Sequence, residues 1–364
     1  MIKRFILDRY ILRELLGPFF FGIAAFTCIL AGSSVLFYLV GDALRYGIPF
    51  GQMMQLFVYK LPSVIVFTFP MSTLLATILA FGRLSSDLEI LALRASGIGF
   101  ERIIIPVAAF GLIVSLITIG FNENIVPQAT FSSQQLMRQY TEKKDPNIKQ
   151  HINLTEYDTE GNPLRITHIQ KVDNGVLINA TVAEYEKGQL IRVMSAKTGR
   201  WVSNTGWEFN DGVMHHFSIE NPYNLYVIHF KKEIIDIPID TSSEDKPKDP
   251  DAMNARELKE KIQFQKRTGE NPIHNLMKYH MKFSVPFASL IFSILGAAVG
   301  VRPHRSSSAL GLGLSIVIIL IYYILLSTGM ALGISHLLPP ILGAWLPNIV
   351  VGVIGLLLLK QVAF

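Results

Sequence analysis

One cysteine, Cys28, stands in the 364-residue chain. A disulfide within the chain and a multi-cysteine metal site are therefore excluded, whatever the redox compartment. No Gly-x-x-x-x-Gly-Lys-[Ser/Thr] loop is present, so any ATP that drives this protein must be bound by another chain. The nine histidines include no His-Glu-x-x-His. His215 and His216, adjacent on a regular strand, point to opposite faces and cannot ligate one metal together. No cofactor or metal is expected on this chain.

Charge is also scarce. Charged residues make up 17% of the sequence against 50% hydrophobic, and the mean hydropathy is +0.37, too apolar for an ordinary soluble protein. The charges concentrate between Asn122 and Asn275, with 19 basic and 22 acidic residues, leaving 14 basic and 6 acidic for the rest. The net charge of +5 thus originates in the apolar part and does not indicate nucleic-acid binding.

The apolar part divides into spans. A basic segment, Met1 to Glu14, carries Lys3, Arg4, Arg9 and Arg13 and precedes Gly17 to Val40, 24 residues without charge. That length, without a small-residue cleavage site, predicts a retained transmembrane helix rather than a signal peptide. Leu61 to Gly82, interrupted by Pro62 and Pro70, is the second span; Ile103 to Phe121 is the third and Phe283 to Val301 the fourth. Ser306 to Leu359 then runs 54 residues without a formal charge. As one helix it would be roughly 80 Å long, against a hydrocarbon core of about 30 Å, so it must be two spans. Pro339-Pro340 cannot continue a helix, which places the break at Gly333 to Pro340.

Six spans put both termini on one side. With that side inside, ten basic residues flank the cytoplasmic ends (Lys3, Arg4, Arg9, Arg13, Arg83, Arg94, Arg102, Arg302, Arg305 and Lys360), against four outside (Arg45, Lys60, Lys278 and Lys282). The positive-inside rule then places Arg83 to Gly97 in the cytoplasm and the large polar segment outside.

Arg83 to Gly97 reads as a short helix between the second and third spans. Ser86 and Glu89 have the spacing of a capping box, and Gly97 suits a left-handed C-terminal position. Leu84, Leu88 and Leu91 recur at helical spacing, while Asp87 and Arg94 share another side. Glu89 either closes the cap on Ser86 or contacts a partner.

The polar segment is β in pattern from Glu123 to Asp240. Gly161, Gly175, Gly188, Gly199, Gly206 and Gly212 fall in turn-like clusters such as Asp173-Asn174-Gly175 and Asn210-Asp211-Gly212, between stretches rich in Val, Ile, Tyr and Trp. Ile235, Ile237 and Ile239 alternate with polar residues and proline. Regular short strands suggest a sandwich or jelly roll. Trp201, Trp207, Phe209, Phe217 and Phe230 either line a lipid-holding interior or form ordinary core. A polar linker follows, and Asn254-x-x-Glu257 starts a second short helix to about Thr268.

The division is therefore a transmembrane half over 1–122 with the short helix at about 84–97, an external all-β jelly-roll domain over 123–240, a linker and short helix over 241–275, and a second three-helix half over 276–364. Arg45 and Lys60, at the outer edges of the first two spans, either contact a lipid phosphate or snorkel to the interface. Ala24, Ala25, Gly32, Ser33 and Ser34 in the first span, and Gly311, Gly313 and Gly329 in the fifth, allow close helix approach.

As a whole the chain resembles the lipopolysaccharide-export permease family, the F and G subunits of the Lpt transporter. The likeness rests on three spans, an external β domain, three further spans, and Ser86-Asp-Leu-Glu-Ile-Leu-Ala-Leu-Arg-Ala-Ser-Gly97, which looks like the family's cytoplasmic coupling helix. Phe69-Pro70-Met71 and Lys282-x-x-x-Pro286 fit as well. The resemblance implies an inner-membrane permease subunit paired with a second, same or homologous one, powered by a dimer of a separate cytoplasmic ATPase. It also implies lipopolysaccharide or a related glycolipid as cargo, handed to a periplasmic β-jelly-roll bridge protein. It implies ATPase coupling through Asp87, Glu89, Leu91, Arg94 and Gly97, with Glu89 the coupling carboxylate, and substrate binding at Arg45 and Lys60. Lys60 departs from the family pattern, in which the basic residue follows the proline that Pro62 matches. A scaffold coupling an ATPase to an envelope partner, and a membrane-bound envelope enzyme, are the alternative classes.

Overall fold

A computed structural model describes residues 2–144, 149–157, 163–173, 176–186, 189–202, 206–217, 225–235, 248–267, 271–301 and 308–363. It contains two compact units. One comprises Met1–Leu136, Lys248–Gln263 and Asn271–Phe364; the other comprises Met137–Pro247 and Phe264–Glu270.

The first unit is helical. α1 (Ile2–Leu30) passes through one π-helical stretch (Ala31–Leu36) into α2 (Phe37–Tyr46), which stops at Gly47, where φ is +69°. α3 (Phe50–Ser86), the short α4 (Glu89–Ala95) and α5 (Phe100–Lys144) follow, then α6 (Ala255–Arg267), α7 (Ile273–Gly300), α8 (Ser308–Ile334) and α9 (Pro340–Ala363). Among the described residues, six helical stretches are long and apolar enough to cross a membrane. The break between the last two falls where Pro339-Pro340 requires it. α5 continues unbroken through Glu123 to Lys144, so the first described strand starts only at Lys149.

α3 is the centre of the bundle. In its most apolar stretch 78% of residues are buried, against 17% in the first helix and 22% in α8, so those two keep broad unpartnered faces. Small residues let α3 approach its neighbours. A methyl group on Gly296 would collide with Thr77, and one on Gly22 would press on Ser72. The buried hydroxyls of Ser72, Thr73 and Thr77 donate to carbonyls one turn back, at 2.7, 2.8 and 2.9 Å, so the close crossings leave those groups satisfied. Gly329 is likewise used inside the chain, where it meets the backbone of Gly343 in α9, and Gly311 faces Ile78 and Leu79 of α3. Tyr322 donates to Asn348 at 3.0 Å and Asn348 donates to the Ser284 carbonyl at 2.7 Å, a buried chain of bonds joining α7, α8 and α9.

Asn254-x-x-Glu257 forms the reciprocal cap its spacing predicts. The Glu257 N–H donates to Asn254 Oδ1 at 2.8 Å and the Asn254 N–H to Glu257 Oε2 at 3.0 Å. Leu258 and Ile262 bury one face of α6 against Leu276 and Tyr279.

The second unit holds a six-stranded antiparallel sheet: β1 (Lys149–Tyr157), β2 (Pro163–Asp173), β3 (Val176–Glu186), β4 (Gln189–Val202), β5 (Gly206–Phe217) and β6 (Leu225–Ile235), adjacent in that order. This is an up-and-down meander, without the Greek-key crossings of a usual jelly roll among the described residues. Trp207 and Phe209 are buried with Ile169, Leu177 and Val182 on one face; Phe230 packs against them, and Trp201 meets the edge of Trp207 at 5.6 Å.

Two predicted turns are corrected. Gly199 and Gly212 lie inside β4 and β5, paired across strands with Phe209 and Phe230, whose rings fill the space a side chain would take. Glycine here provides room for a ring rather than a reversal. Asp211 (φ +52°) and Asn179 (φ +50°) interrupt the regular pairing instead, both at the level of Lys197 on the intervening β4, so the kinks align across the sheet. Gly206, with φ +106°, does start β5 after a reversal. Gly161, Gly175 and Gly188, with Ile237 and Ile239, lie outside the described residues.

Candidate functional site

The single helix predicted from Arg83 to Gly97 is two pieces. α3 carries the chain to Ser86, Asp87 and Leu88 turn, and α4 begins at Glu89. Leu88 takes φ +61°, a left-handed conformation uncommon for a branched apolar residue. Ser86 is helical and caps nothing; no side chain caps the start of α4, which corrects the Ser86–Glu89 capping box. The physical reason is that α3 runs on through Ser86, which places it inside one helix rather than at the start of the next. Tyr10 of α1 donates its hydroxyl to Glu89 Oε2 at 2.7 Å, a partner 79 residues away that local spacing does not reveal. Gly97 does take the left-handed conformation, φ +88°.

One helix frames this loop. Asp8 accepts two bonds from Arg102 at the start of α5, at 2.6 and 2.8 Å, and Glu14 pairs with Arg83 near the end of α3. Beside these pairs, Ile11 and Leu15 are buried in one cluster with Leu84, Ile90, Phe100 and Ile103. From the C-terminus, the Val362 carbonyl accepts from Arg94 at 3.1 Å. With Ile90 turned inward, the turn and α4 leave Leu88 and Leu91 exposed, each at 62%, beside exposed Asp87 and Arg94. The predicted coupling residues therefore share one short, anchored segment. Sequence reasoning missed Asp8, Tyr10 and Glu14. A signal was present, because only six acidic residues lie outside 122–275 and two of them interrupt an otherwise basic segment.

The predicted lipid-binding cations lie on the two arms of the turn at Gly47. Arg45, in the last turn of α2, places its guanidinium 5.5 Å from the ring of Tyr46. Lys60 is exposed, about three turns into α3. Its carbonyl accepts the hydroxyl of Ser63 at 2.7 Å, and Ser63 lines a cavity.

That cavity, about 370 Å³, lies among the π-helical stretch, α3 and α8. Leu30, Val64, Phe67 and Met71 form its apolar wall, with Ser34, Ser63 and Tyr323. Each hydroxyl is directed into its own protein: Ser34 to the Leu30 carbonyl at 2.5 Å, Ser63 to Lys60, and Tyr323 to the Phe67 carbonyl at 3.4 Å. The interior is thus apolar in effect and suits hydrocarbon better than a sugar. Among the described residues no group of histidine, cysteine or carboxylates could hold a metal.

No curated protein matched the chain. A family model described as "Lipopolysaccharide export system permease LptF/LptG" matches residues 9–361, nearly the whole sequence, and the chain accordingly belongs to this family of multi-pass inner-membrane permease subunits.

Proposed function

We propose that the chain is the permease subunit that withdraws lipopolysaccharide or a related glycolipid from the inner membrane, with α4 as the element through which a partner ATPase dimer moves it. The family is a transporter component of an ABC-type system, not an enzyme. In this reading the termini and α4 are cytoplasmic and the β unit is periplasmic, consistent with the ten-to-four bias of flanking basic residues. The second permease subunit, same or homologous, meets the unpartnered faces of the first helix and α8.

One observation supports the coupling role above the others: α4 is fixed from behind by Ile90 and, with the turn before it, presents Leu88 and Leu91 outward. Glu89 and Arg94 supply charge beside that apolar pair, and Gly97 ends the surface. Arg45 and Lys60 contact head-group phosphate, and the cavity beside Ser63 takes an acyl chain. The meander sheet meets a periplasmic β-jelly-roll bridge protein at β6, an edge strand among the described residues, with Tyr226, Val227 and Ile228 exposed. The test is lipid-coupled ATP hydrolysis in reconstituted complex. Glu89→Ala uncouples hydrolysis from lipid delivery with the fold intact; wild-type coupling in Glu89→Gln, which keeps the hydroxyl bond but not the charge, removes the charge-contact role.

A further inference from the structure

We infer that the N-terminal helical segment around Tyr10 is the frame that sets the position of α4, and that Tyr10 is the positioning residue for the Glu89 carboxylate. The inference rests on the reading of α4 as the coupling element.

Three groups on α1 meet three successive points of the α3–α5 connection: Glu14 at Arg83, Tyr10 at Glu89 and Asp8 at Arg102. They appear in reverse order along α1, as an antiparallel helix running beside the loop requires. Ile11 and Leu15 are buried in one cluster with Leu84, Ile90 and Phe100, which packs this helix against the connection. Without that support the connection is weakly determined. α4 has seven residues, too few to be stable alone, and its first turn has no side-chain cap. Leu88 stands in a conformation that must be held by its surroundings.

Tyr10 contributes direction as well as contact. Its hydroxyl donates to Glu89 Oε2 and so turns the carboxylate toward α1. Tyr10 and Glu14 are four residues apart on one helix, so a shift of α1 moves Glu89 and Arg83 together. Movement of the first span is thereby tied to the surface an ATPase touches.

The experiment uses full chain in its reconstituted complex and compares wild type, Tyr10→Phe, Glu89→Ala and the double variant. Hydrogen exchange of the α4 amides reads the frame directly, and lipid-coupled ATP hydrolysis reads its use. Tyr10→Phe is expected to raise exchange in α4 about fivefold, without change in α9, and to lower coupled hydrolysis. Added to Glu89→Ala, it is expected to have no further effect on hydrolysis. Unchanged α4 exchange in Tyr10→Phe overturns the inference whatever Glu89 does. Raised exchange with wild-type coupling, or an effect additive with Glu89→Ala, overturns the positioning role. Wild-type coupling in Glu89→Ala is a different failure, because it removes the coupling reading of α4 and the role of Tyr10 with it.

Discussion

Asn122 and Lys282 exchange two hydrogen bonds, the Asn122 amide donating to the Lys282 carbonyl at 3.2 Å and the Lys282 ammonium donating to the Asn122 carbonyl at 3.3 Å. The arrangement follows from Pro286. A residue there would ordinarily donate its N–H to the carbonyl four positions back, and proline has none to give. Asn122 supplies the missing donor from α5. Glu123 beside it lies 3.4 Å from the Lys282 ammonium and accepts the Ala255 N–H at 2.8 Å, so the start of α6 is held at the same joint.

Asn122→Leu should therefore cost about 1 kcal/mol, since the part-buried acceptor loses its donor. Pro286→Ala restores the helical N–H. Placed in the Asn122→Leu background it should recover part of the loss, whereas in wild type it should recover nothing. Thermal unfolding in detergent of the four proteins gives the coupling, and strict additivity would show that the two residues do not share this carbonyl.

Gly329→Ala should destabilise the α8–α9 crossing by about 1–3 kcal/mol, because the methyl group meets the Gly343 carbonyl. Gly313→Ala is the control. Nothing lies within 4 Å of a methyl group there, and alanine in a helix favours the folded state by roughly 0.5–1 kcal/mol over glycine. Equal melting of the two variants would contradict the packing. Gly329 is thus a poor candidate for an interface that opens between subunits, and Gly313 remains free to serve one.

Acid should loosen the start of α6. The Lys248 ammonium, 2.7 Å from Glu257, holds that carboxyl below its ordinary range against the opposing effect of burial, with the Asn254 N–H helping. A depressed carboxylate pKa stabilises the folded form above the ordinary value, near 4.3 on the usual scale, and the contribution disappears as pH falls through the folded value. Protection factors of the Asn254 to Leu258 amides, taken against the intrinsic rate at each pH, should fall below about pH 4. Glu257→Gln should remove that dependence, and persistence of the same acid response in the variant would assign it to another group.

What the sequence showed depended on how far each determinant reached. The six spans were legible because a charge-free length and a fixed helical rise decide them, and Pro339-Pro340 is a local break. The cap at Asn254 and Glu257 was legible because both partners lie within one turn. The same chemistry at Ser86 and Glu89 misled, since α3 continues through Ser86, and Glu89 accepts instead from Tyr10, 79 residues away. Gly199 and Gly212 misled for a related reason: glycine marks a reversal only when no cross-strand ring claims its space, and Phe209 and Phe230 do claim it. The cavity gave no sequence signal as a cavity, although Ser34 and Met71 of its wall were singled out for other reasons, because that wall comes from helices far apart in the chain.

The cavity and the two cations make a joint prediction about cargo. A glycolipid needs apolar volume for its chains and positive charge at its head group, and here the two lie near one another in sequence: Ser63, whose hydroxyl bonds the Lys60 carbonyl, is part of the cavity wall. Val64→Trp adds bulk to that wall and should reduce acyl-chain labelling from a photocrosslinker at Phe67, leaving folding intact. Arg45→Glu should reduce head-group labelling from a crosslinker at Tyr46 more than Arg45→Lys does, because only the first reverses the charge proposed to meet phosphate. Lys60→Glu is expected to have a smaller effect, as an exposed lysine gains less from an ion pair than a guanidinium that can bind in bidentate fashion. ATP should change the labelling in wild type and not in Glu89→Ala. Labelling confined to bulk phospholipid, indifferent to Val64→Trp, to both Arg45 variants and to ATP, would count against extraction of lipid through this face of the chain.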